Sequence, residues 1–289
     1  MFEGNRNQLE KQIESWLDED LGSGDVTTLS TIPPDHYSKA VIHVKEDGVI
    51  AGLPVAELVF RTVDPSLVFR HVMKEGDQVV KGTIVAELEG SSRSILMGER
   101  LALNLLQRMS GIATTTHRYA ERVKGYNVRV VDTRKTTPGL RALEKYAVKV
   151  GGGHNHRQGL YDAVMIKDNH IKASGGIALA IRSARSRIPH TMKIEVEVEN
   201  MAQLEEALTA GADIIMLDNV EIERMREAVE KIKTASSHVI VEASGGVTLD
   251  NIREIAMTGV DVISAGALTH SIKSLDISLD LNGRKGDGA

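Results

Sequence analysis

Cysteine is absent from this 289-residue chain, and aromatic side chains make up only 3% of it. Without cysteine there can be no disulfide framework, thiolate metal site or cysteine nucleophile, so any metal must be bound by oxygen or imidazole. The scarcity of aromatic rings removes the stacking surfaces that single-stranded nucleic acids require. No stretch approaches the roughly 18 apolar residues of a membrane-spanning helix. We therefore expect a globular, cytoplasmic protein with neither a nucleic-acid nor a membrane partner.

The N-terminal residues alternate acidic and apolar side chains at helical spacing. Acidic residues surround Leu9, Ile13, Trp16 and Leu17. A secretory signal would need a basic start and an apolar core instead. This pattern predicts an amphipathic helix rather than a signal peptide.

Two halves of the chain differ in hydrophobic periodicity. Region 39–90 holds short apolar or alternating runs separated by turns, which predicts a β-rich domain. From about residue 127, apolar strands alternate with helical segments, which predicts a parallel sheet covered by helices. The predicted strands are 128–131, 163–166, 193–198, 213–217, 238–242 and 261–264, and the predicted helices are 176–187, 201–210, 222–233 and 248–258.

The fold class that follows is α/β, with a C-terminal barrel. A doubly wound sheet is the alternative, but no Gly-x-Gly-x-x-Gly motif follows the first strand, and this favours a (β/α) barrel. We expect an N-terminal helix plus an α+β sandwich domain over 1–110 and the α/β barrel over 111–275. A C-terminal tail, 276–289, can return to the N-terminal domain.

Positive charge is concentrated between Arg129 and Lys172. This window holds nine Lys or Arg residues and four Asp or Glu residues, a net charge of +5 in a chain whose net charge is −5. Cations gathered against the overall sign indicate a local pocket for an anion rather than a generally basic surface. A polyanionic small molecule fits this better than a nucleic acid.

Polar residues follow nearly every predicted strand of the barrel. Barrel enzymes carry their chemistry at the carboxyl ends of the strands, so we expect these residues to share an active site. They are Asp132, Arg134, Lys135, Lys167, Asp168, Glu197, Asp218, the run Ser244-Gly245-Gly246 and the run Ser264-Ala265-Gly266. The glycines after the last two strands allow close backbone approach, which predicts a seat for a phosphate monoester.

Carboxylates at two strand ends suggest a metal. Glu195, Glu197 and Glu199 share one strand face, and such carboxylates need cations or a metal in a dry interior. Glu197 with Asp218 predicts a Mg²⁺ site, direct or through water. The alternative, which is not exclusive, is pairing of these carboxylates with Lys135 and Lys167. Glu199 can simply begin the next helix.

Histidine and lysine in the cationic window also allow alternatives. His154 and His156 could form a zinc pair, but no third His lies at useful spacing, and His156 with Arg157 is better suited to donate to a carboxylate. Lys167 could form a Schiff base as in barrel aldolases. The neighbouring cations favour electrostatic binding instead.

The chain resembles the quinolinate phosphoribosyltransferase family over essentially its whole length, because the family's motifs occur in it in the same order. The matching motifs are Leu21-Gly22-Ser23-Gly24-Asp25 with Thr27, Gly98-Glu99-Arg100, Asp132 to Pro138, Gly152 to Arg157, Lys167 to His170, Glu195 to Glu197, Leu217-Asp218-Asn219, Glu242 to Gly246 and Asp261 to Gly266. The resemblance implies a barrel of the type II phosphoribosyltransferase kind. It also implies a homodimer with shared active sites, with higher assembly left open, in which the N-terminal domain of one subunit closes over the barrel of the other.

The implied reaction transfers phosphoribose from 5-phosphoribosyl 1-pyrophosphate to quinolinate. With Mg²⁺, it yields nicotinate mononucleotide, pyrophosphate and CO₂, a step of NAD biosynthesis. By resemblance, each group of site residues has a role. The dicarboxylate is bound by Arg134, His156, Arg157 and Lys167, with Arg100 from the partner subunit; Thr133 joins the substrate-binding set; Lys135, Glu197 and Asp218 serve the metal and the leaving pyrophosphate; and Ser244, Gly245, Gly246, Ala265 and Gly266 seat the 5′-phosphate. The expected catalytic residues among these are Lys135, Lys167, Glu197 and Asp218.

Two other functions compete with this one. A molybdenum-transport-associated phosphoribosyltransferase would share the scaffold, but the dicarboxylate set headed by Arg100 and Arg134 favours quinolinate. A non-catalytic phosphoribose-binding module would bind without turnover, and the retained carboxylates Glu197 and Asp218 argue against it.

Overall fold

The computed structural model describes residues 6–281. The described residues form two compact units, 6–114 with 272–281, and 115–271. Residues 282–289 of the expected C-terminal tail lie outside the described residues. Within the described part of the chain, no helix is long and apolar enough to cross a membrane.

The helices and strands of the first unit come from both ends of the chain. They are α1 (Arg6–Leu21), α2 (Val26–Thr31), β1 (Tyr37–Val44), β2 (Gly48–Val49), α3 (Leu53–Val63), β3 (Val68–His71), β4 (Gln78–Val79), β5 (Ile84–Ser91), the start of α4 (Ser92–Arg122) and, from the C-terminal end, the strand Ile277–Leu281. Helix α4 continues past residue 114 into the second unit.

An antiparallel sheet forms the core of the first unit. Its order is Ile277–Leu281, β1, β5, β3, with Ala40 opposite both Leu281 and Leu88. Alternate residues of β1 are buried, as a sheet with one covered face requires. The amphipathic helix expected at the N-terminus is α1, which buries Leu9, Ile13 and Leu17 and contacts α3. Sheet and helices together make this an α+β unit.

The second unit is built from parallel strands alternating with helices. After α4 come β6 (Arg129–Val131), α5 (Arg141–Val150), β7 (Val164–Ile166), α6 (Asp168–Ser174), α7 (Ile177–Arg185), β8 (Ile194–Val198), α8 (Met201–Thr209), β9 (Ile214–Asp218), α9 (Ile222–Ala235), β10 (Ile240–Ser244), α10 (Ile252–Ala256), β11 (Val262–Ser264) and α11 (Ala267–His270). The last strand of the chain, Ile277–Leu281, is β12.

Strand order confirms the α/β fold with a barrel-like second unit. The order is β6-β11-β10-β9-β8-β7, so the first strand of this unit lies beside its last. On the other edge of β6, Val131 forms a parallel bridge with His154. All six predicted strands are present within two residues of their expected bounds. The helix expected over 248–258 is shorter, because Thr248 N donates to Asn251 Oδ1 in a turn before α10.

Candidate active site

A cavity of ≈ 730 Å³ lies at the carboxyl ends of the parallel strands. Of the fourteen residues that the resemblance assigns to the site, it brings together all but Arg100; of the other strand-end residues expected there, Ser264 lines the cavity and Asp132 and Asp168 do not. The assigned residues that it brings together are Thr133, Arg134, Lys135, His156, Arg157, Lys167, Glu197, Asp218, Ser244, Gly245, Gly246, Ala265 and Gly266. Arg100 is exposed on α4 in the first unit, where it lines a separate pocket with Asp20 and Asp25.

Lys135 is positioned by the turn after β11. Its backbone N–H donates to Thr133 Oγ1 over 3.0 Å, and its carbonyl accepts from the Thr269 hydroxyl over 2.8 Å. A Cβ on Gly266 would lie 2.9 Å from Lys135 Cδ. Glycine at position 266 therefore allows the aliphatic part of Lys135 to lie against the backbone, and a larger residue would displace that side chain.

Two of the expected catalytic groups form an ion pair at the rim. Lys167 Nζ lies 2.6 Å from Glu197 Oε2, with the lysine side chain 44% exposed and the glutamate 12%. An ion-paired, half-exposed ammonium suits electrostatic binding better than Schiff-base chemistry. On the adjacent strand β9, Asp218 accepts from Asn219 Nδ2 over 2.7 Å. Glu197 and Asp218 thus present carboxylate oxygens from neighbouring strands to one cavity.

His156 lies between two buried carboxylates at the floor of the cavity. Its Nε2 is 3.3 Å from Glu195 Oε2 on β8 and 3.4 Å from Glu242 Oε2 on β10. These strands are separated by β9, so their side chains meet only because the sheet curves into a barrel. His154 is exposed and does not join this cluster, so the two histidines do not form a metal pair.

The two carboxylates determine the charge of His156. Burial disfavours the imidazolium, but hydrogen bonds to Glu195 and Glu242 and their charges outweigh it and raise the pKa of His156 to about 10. The Arg157 backbone N–H donates to Nδ1 over 2.7 Å, a hydrogen bond that the protonated Nδ1 of an imidazolium could not accept. The contact at Nδ1 arises because residues 156 and 157 are neighbours in the chain, so it says little about the charge of the ring. At Nε2, by contrast, two buried carboxylates favour the protonated ring. We therefore assign the charged form.

A second buried network holds the main chain of His156. Its N–H donates to Asp132 Oδ1 over 2.8 Å, and its carbonyl accepts from Lys145 Nζ over 3.0 Å. Lys145 also pairs with Asp132, and Asn155 Nδ2 donates to the other Asp132 oxygen over 2.6 Å. Burial raises the pKa of Asp132, although Lys145 and the other donors oppose this. Residue 156 is thereby held from both sides.

Several buried polar atoms of this region have no partner within the protein. Among the described residues they include Arg134 Nε, Ser264 Oγ, Glu195 Oε1 and Glu242 Oε1. The guanidinium of Arg157 donates to the Ala163 carbonyl over 3.2 Å, and burial together with the charge of Arg134 lowers its pKa. Unpartnered buried donors and two adjacent guanidiniums fit a cavity that receives a polar, anionic ligand.

The turn after β10 can be formed only by glycine at its second position. Gly245 has φ +88°, and a Cβ there would lie 2.2 Å from Asn219 Oδ1. Asn219 itself has φ +53°, and its N–H donates to the Ser244 carbonyl over 2.9 Å. The carboxyl ends of β9 and β10 are therefore locked together, which leaves backbone rather than side chain facing the cavity at this turn.

Comparison with known protein families identifies the family to which this chain belongs. The model of the quinolinate phosphoribosyl transferase C-terminal domain matches residues 112–280, and that of the N-terminal domain matches residues 25–110. The chain belongs to the quinolinate phosphoribosyl transferase family. The resemblance inferred from the motifs is confirmed.

Similar proteins include members of this family from several bacteria. A probable nicotinate-nucleotide pyrophosphorylase (carboxylating) of Synechocystis sp. is 46% identical over 94% of this chain and 92% of its own. A Bacillus subtilis protein of the same name is also 46% identical, over 96% and 94%. The crystal structure of NadC from Streptococcus pyogenes has a TM-score of 0.91, with 44% identity over 95% of this chain and 96% of that one.

Nine residues that line the cavity of this phosphoribosyl transferase were not among those fourteen. They are Met165, Met216, Asn219, Glu242, Val247, Thr248, Ser264, Ala267 and His270. Three of them lie in the motifs quoted above: Asn219 follows Asp218, and Glu242 and Ser264 each end a predicted strand. His270 lies at the end of α11, a helix of only four residues, which is too short to be predicted from its sequence pattern.

Proposed function

We propose that the cavity binds quinolinate and 5-phosphoribosyl 1-pyrophosphate together, and that the chain joins them with loss of pyrophosphate and CO₂. The chain is a pentosyltransferase, a nicotinate-nucleotide diphosphorylase (carboxylating), acting in NAD biosynthesis. One observation carries the proposal for its site. A single cavity joins adjacent cations, two rim carboxylates and a glycine turn, which match a dicarboxylate, a metal-bound pyrophosphate and a phosphate monoester.

The cationic wall fits the quinolinate end. Arg134, Arg157 and Lys167 supply donors for two carboxylates, and His156 adds a cationic ring beside them. Guanidinium groups bind carboxylates through paired N–H donors and so fix the plane of the ligand as well as its charge. The pyridine nitrogen is thereby directed toward the ribose rather than toward solvent.

The opposite wall fits the 5′-phosphate. Ser244 ends β10 and is followed by Gly245 and Gly246, while Ala265 and Gly266 follow β11. All five line the cavity, and the Ala265 N–H already donates to the Val131 carbonyl over 3.0 Å. Backbone N–H groups at such turns favour a doubly charged anion without adding a bulky side chain. The unpartnered hydroxyl of Ser264 offers one further donor to this end.

Glu197 and Asp218 fit a magnesium ion. Their oxygens come from adjacent strands, and oxygen is the donor that Mg²⁺ prefers. Mg²⁺ bound there would offset the charge of the departing pyrophosphate. Lys135, packed against Gly266, is the nearby ammonium suited to the same task.

In the proposed reaction the bond from ribose C1 to pyrophosphate breaks, and its electron pair leaves with pyrophosphate. The quinolinate nitrogen donates its lone pair to C1, which makes the ring a pyridinium. The adjacent carboxylate then leaves as CO₂, and its bonding pair passes to the ring carbon, which takes up a proton from solvent. Glu197 and Asp218 stabilise the positive charge that develops at C1, while the other residues position and neutralise the two anions.

A homodimer with shared sites is part of the proposal. Arg100 does not line the cavity of its own barrel unit but is exposed on α4, which is consistent with its serving the site of a partner subunit. Mixing Arg100→Ala and Lys167→Ala chains should then restore activity in heterodimers. A verified heterodimer without activity would refute the sharing. The cytoplasm remains the proposed location, and the lack of cysteine suits a reducing compartment.

The deciding experiment incubates the protein with quinolinate, 5-phosphoribosyl 1-pyrophosphate and Mg²⁺ and measures mononucleotide and released CO₂. Turnover supports the enzyme. Binding of both ligands without turnover would refute it in favour of a non-catalytic module. A molybdenum-transport-associated function would instead predict that quinolinate neither binds nor reacts.

A further inference from the structure

Two buried carboxylates take no part in the reaction proposed above. Glu195 and Glu242 are each only 3% exposed, and each has one carboxylate oxygen without a partner among the described residues. Burying a carboxylate costs several kcal/mol unless a cation and further donors compensate it. Two such groups come from different strands and meet at the cavity, which Glu242 lines, so they require a specific role.

Both carboxylates converge on one atom. Glu195 Oε2 and Glu242 Oε2 lie 3.3 and 3.4 Å from His156 Nε2, so the ring is held between β8 and β10. Its main chain is held independently by Asp132 and Lys145. The imidazole therefore has little freedom to rotate. Because the main chain of residue 156 is fixed, the position from which Arg157 extends is fixed as well.

We propose that Glu195 and Glu242 are positioning residues for quinolinate, which keep the His156 ring and the adjoining Arg157 in the orientation that receives its carboxylates. This rests on the proposed function. A cation held in place before the ligand arrives loses no side-chain freedom on binding, which strengthens its interaction. Without the two carboxylates, burial would disfavour a charged ring, and the quinolinate end of the cavity would lose a cation.

The test replaces each carboxylate by its amide. Glu195→Gln and Glu242→Gln keep the size of the side chain and remove its charge. We expect the KM for quinolinate to rise about ten- to hundredfold, as for loss of a charged hydrogen bond, while the KM for the ribose donor changes by no more than about threefold. In a His156→Gln background, Glu195→Gln should add little, because residues that act through one group are not additive.

The matched control is Glu199→Gln. Glu199 lies just beyond the end of β8, is exposed and contacts Gln203 through its backbone, so both KM values should stay at the wild-type level. Thermal unfolding is recorded for every variant. Where a glutamine variant does not fold, Glu195→Asp and Glu242→Asp keep the charge and shorten its reach, and we expect the same selective rise in the quinolinate KM at smaller size.

Several outcomes would overturn the proposal. Equal increases in both KM values, or additive losses in the double variant, would show a merely structural role. A divalent cation that copurifies with the wild type and is lost in both glutamine variants would make the cluster a metal site instead. Wild-type turnover is measured first, because its absence refutes the proposed function, whereas an active wild type with an unchanged quinolinate KM in the variants refutes only the positioning.

Discussion

Lys145→Met should be among the most destabilising single changes in the barrel unit. Lys145 and its partner Asp132 have side chains that are 2% and 0% exposed. Methionine is unbranched and only one atom shorter than lysine, but it leaves the Asp132 carboxylate without its cation. Removing one partner of a buried ion pair costs about 3–5 kcal/mol, because the remaining charge is neither hydrated nor neutralised.

That cost can be converted to a melting temperature. At about 2–4 °C per kcal/mol for a domain of this size, Tm should fall by roughly 6–20 °C. Changing both partners, in Asp132→Asn with Lys145→Met, should recover more than half of the loss, because no unpaired charge remains. Since burial already raises the pKa of Asp132, the pair itself adds little net stability, and the penalty arises from breaking it.

The assay is thermal and guanidinium unfolding of the purified variants at neutral pH. The control is Lys231→Met, which breaks an ion pair with Glu205 whose side chains are 41% and 58% exposed. Exposed pairs contribute about 0–1 kcal/mol, so this variant should melt within a few degrees of the wild type. A Lys145→Met variant as stable as Lys231→Met, or a double variant less stable than Lys145→Met, would refute the reasoning.

Three further predictions concern the cavity. Gly245→Ala introduces left-handed backbone strain of about 1–2 kcal/mol and a clash with Asn219, so it should raise the KM for the ribose donor more than the KM for quinolinate. The control Gly211→Ala also has positive φ, +80°, but its side chain would enter open space, so neither KM should change. Asp218→Asn should raise the Mg²⁺ concentration needed for half-maximal rate, and an unchanged titration would remove Asp218 from the metal site. Because the pKa of His156 is raised to about 10, the wild type should be more stable than His156→Gln, fully so below about pH 6.5 and less so as the pH rises through 10. Tm measured for both proteins from pH 6 to 10.5 tests this, and a Tm difference that does not change with pH would contradict the charged ring.

The barrel could be predicted from the sequence because its strands are short apolar runs with polar residues at their carboxyl ends. The strand predicted over 213–217 is Ile214–Asp218, and the one predicted over 238–242 is Ile240–Ser244. Parallel strands covered on both faces read as continuous apolar segments, and the connections between them are short. The same logic brought most of the site together, since carboxyl ends of neighbouring strands meet at one edge.

The helices α3 and α5 were not predicted, each for a local reason. In α3 the apolar run is rich in valine, which favours strands, although Val55, Val59 and Phe60 also fit a helical face. In α5 an inward-facing lysine, Lys145, interrupts the apolar stripe. A lysine normally marks the solvent side of a helix, and only its partner Asp132, far away in sequence order, makes burial possible.

The sequence grouped Glu195, Glu197 and Glu199 on one strand face, but only Glu195 and Glu197 lie in β8, and the three differ in depth. Glu195 is buried, Glu197 lies at the rim, and Glu199 stands beyond the strand, before the cap Asn200 of α8. Depth along a barrel axis depends on the stagger of neighbouring strands, which side-chain alternation does not encode. The pairing of Glu195 with His156 across the barrel was for the same reason not predicted.

Counting charges overestimated the cations available to a ligand. The +5 of the window already sets Lys145 against Asp132, but Lys167 is paired with Glu197 outside the window, and His156, counted as neutral, is held by two further acids outside it. Across residues 6–281, Arg134 and Arg157 line the cavity without an ion pair. Selectivity for a dicarboxylate therefore depends less on net positive charge than on where a few guanidiniums are held, and the buried acids that hold their neighbours belong to that selectivity.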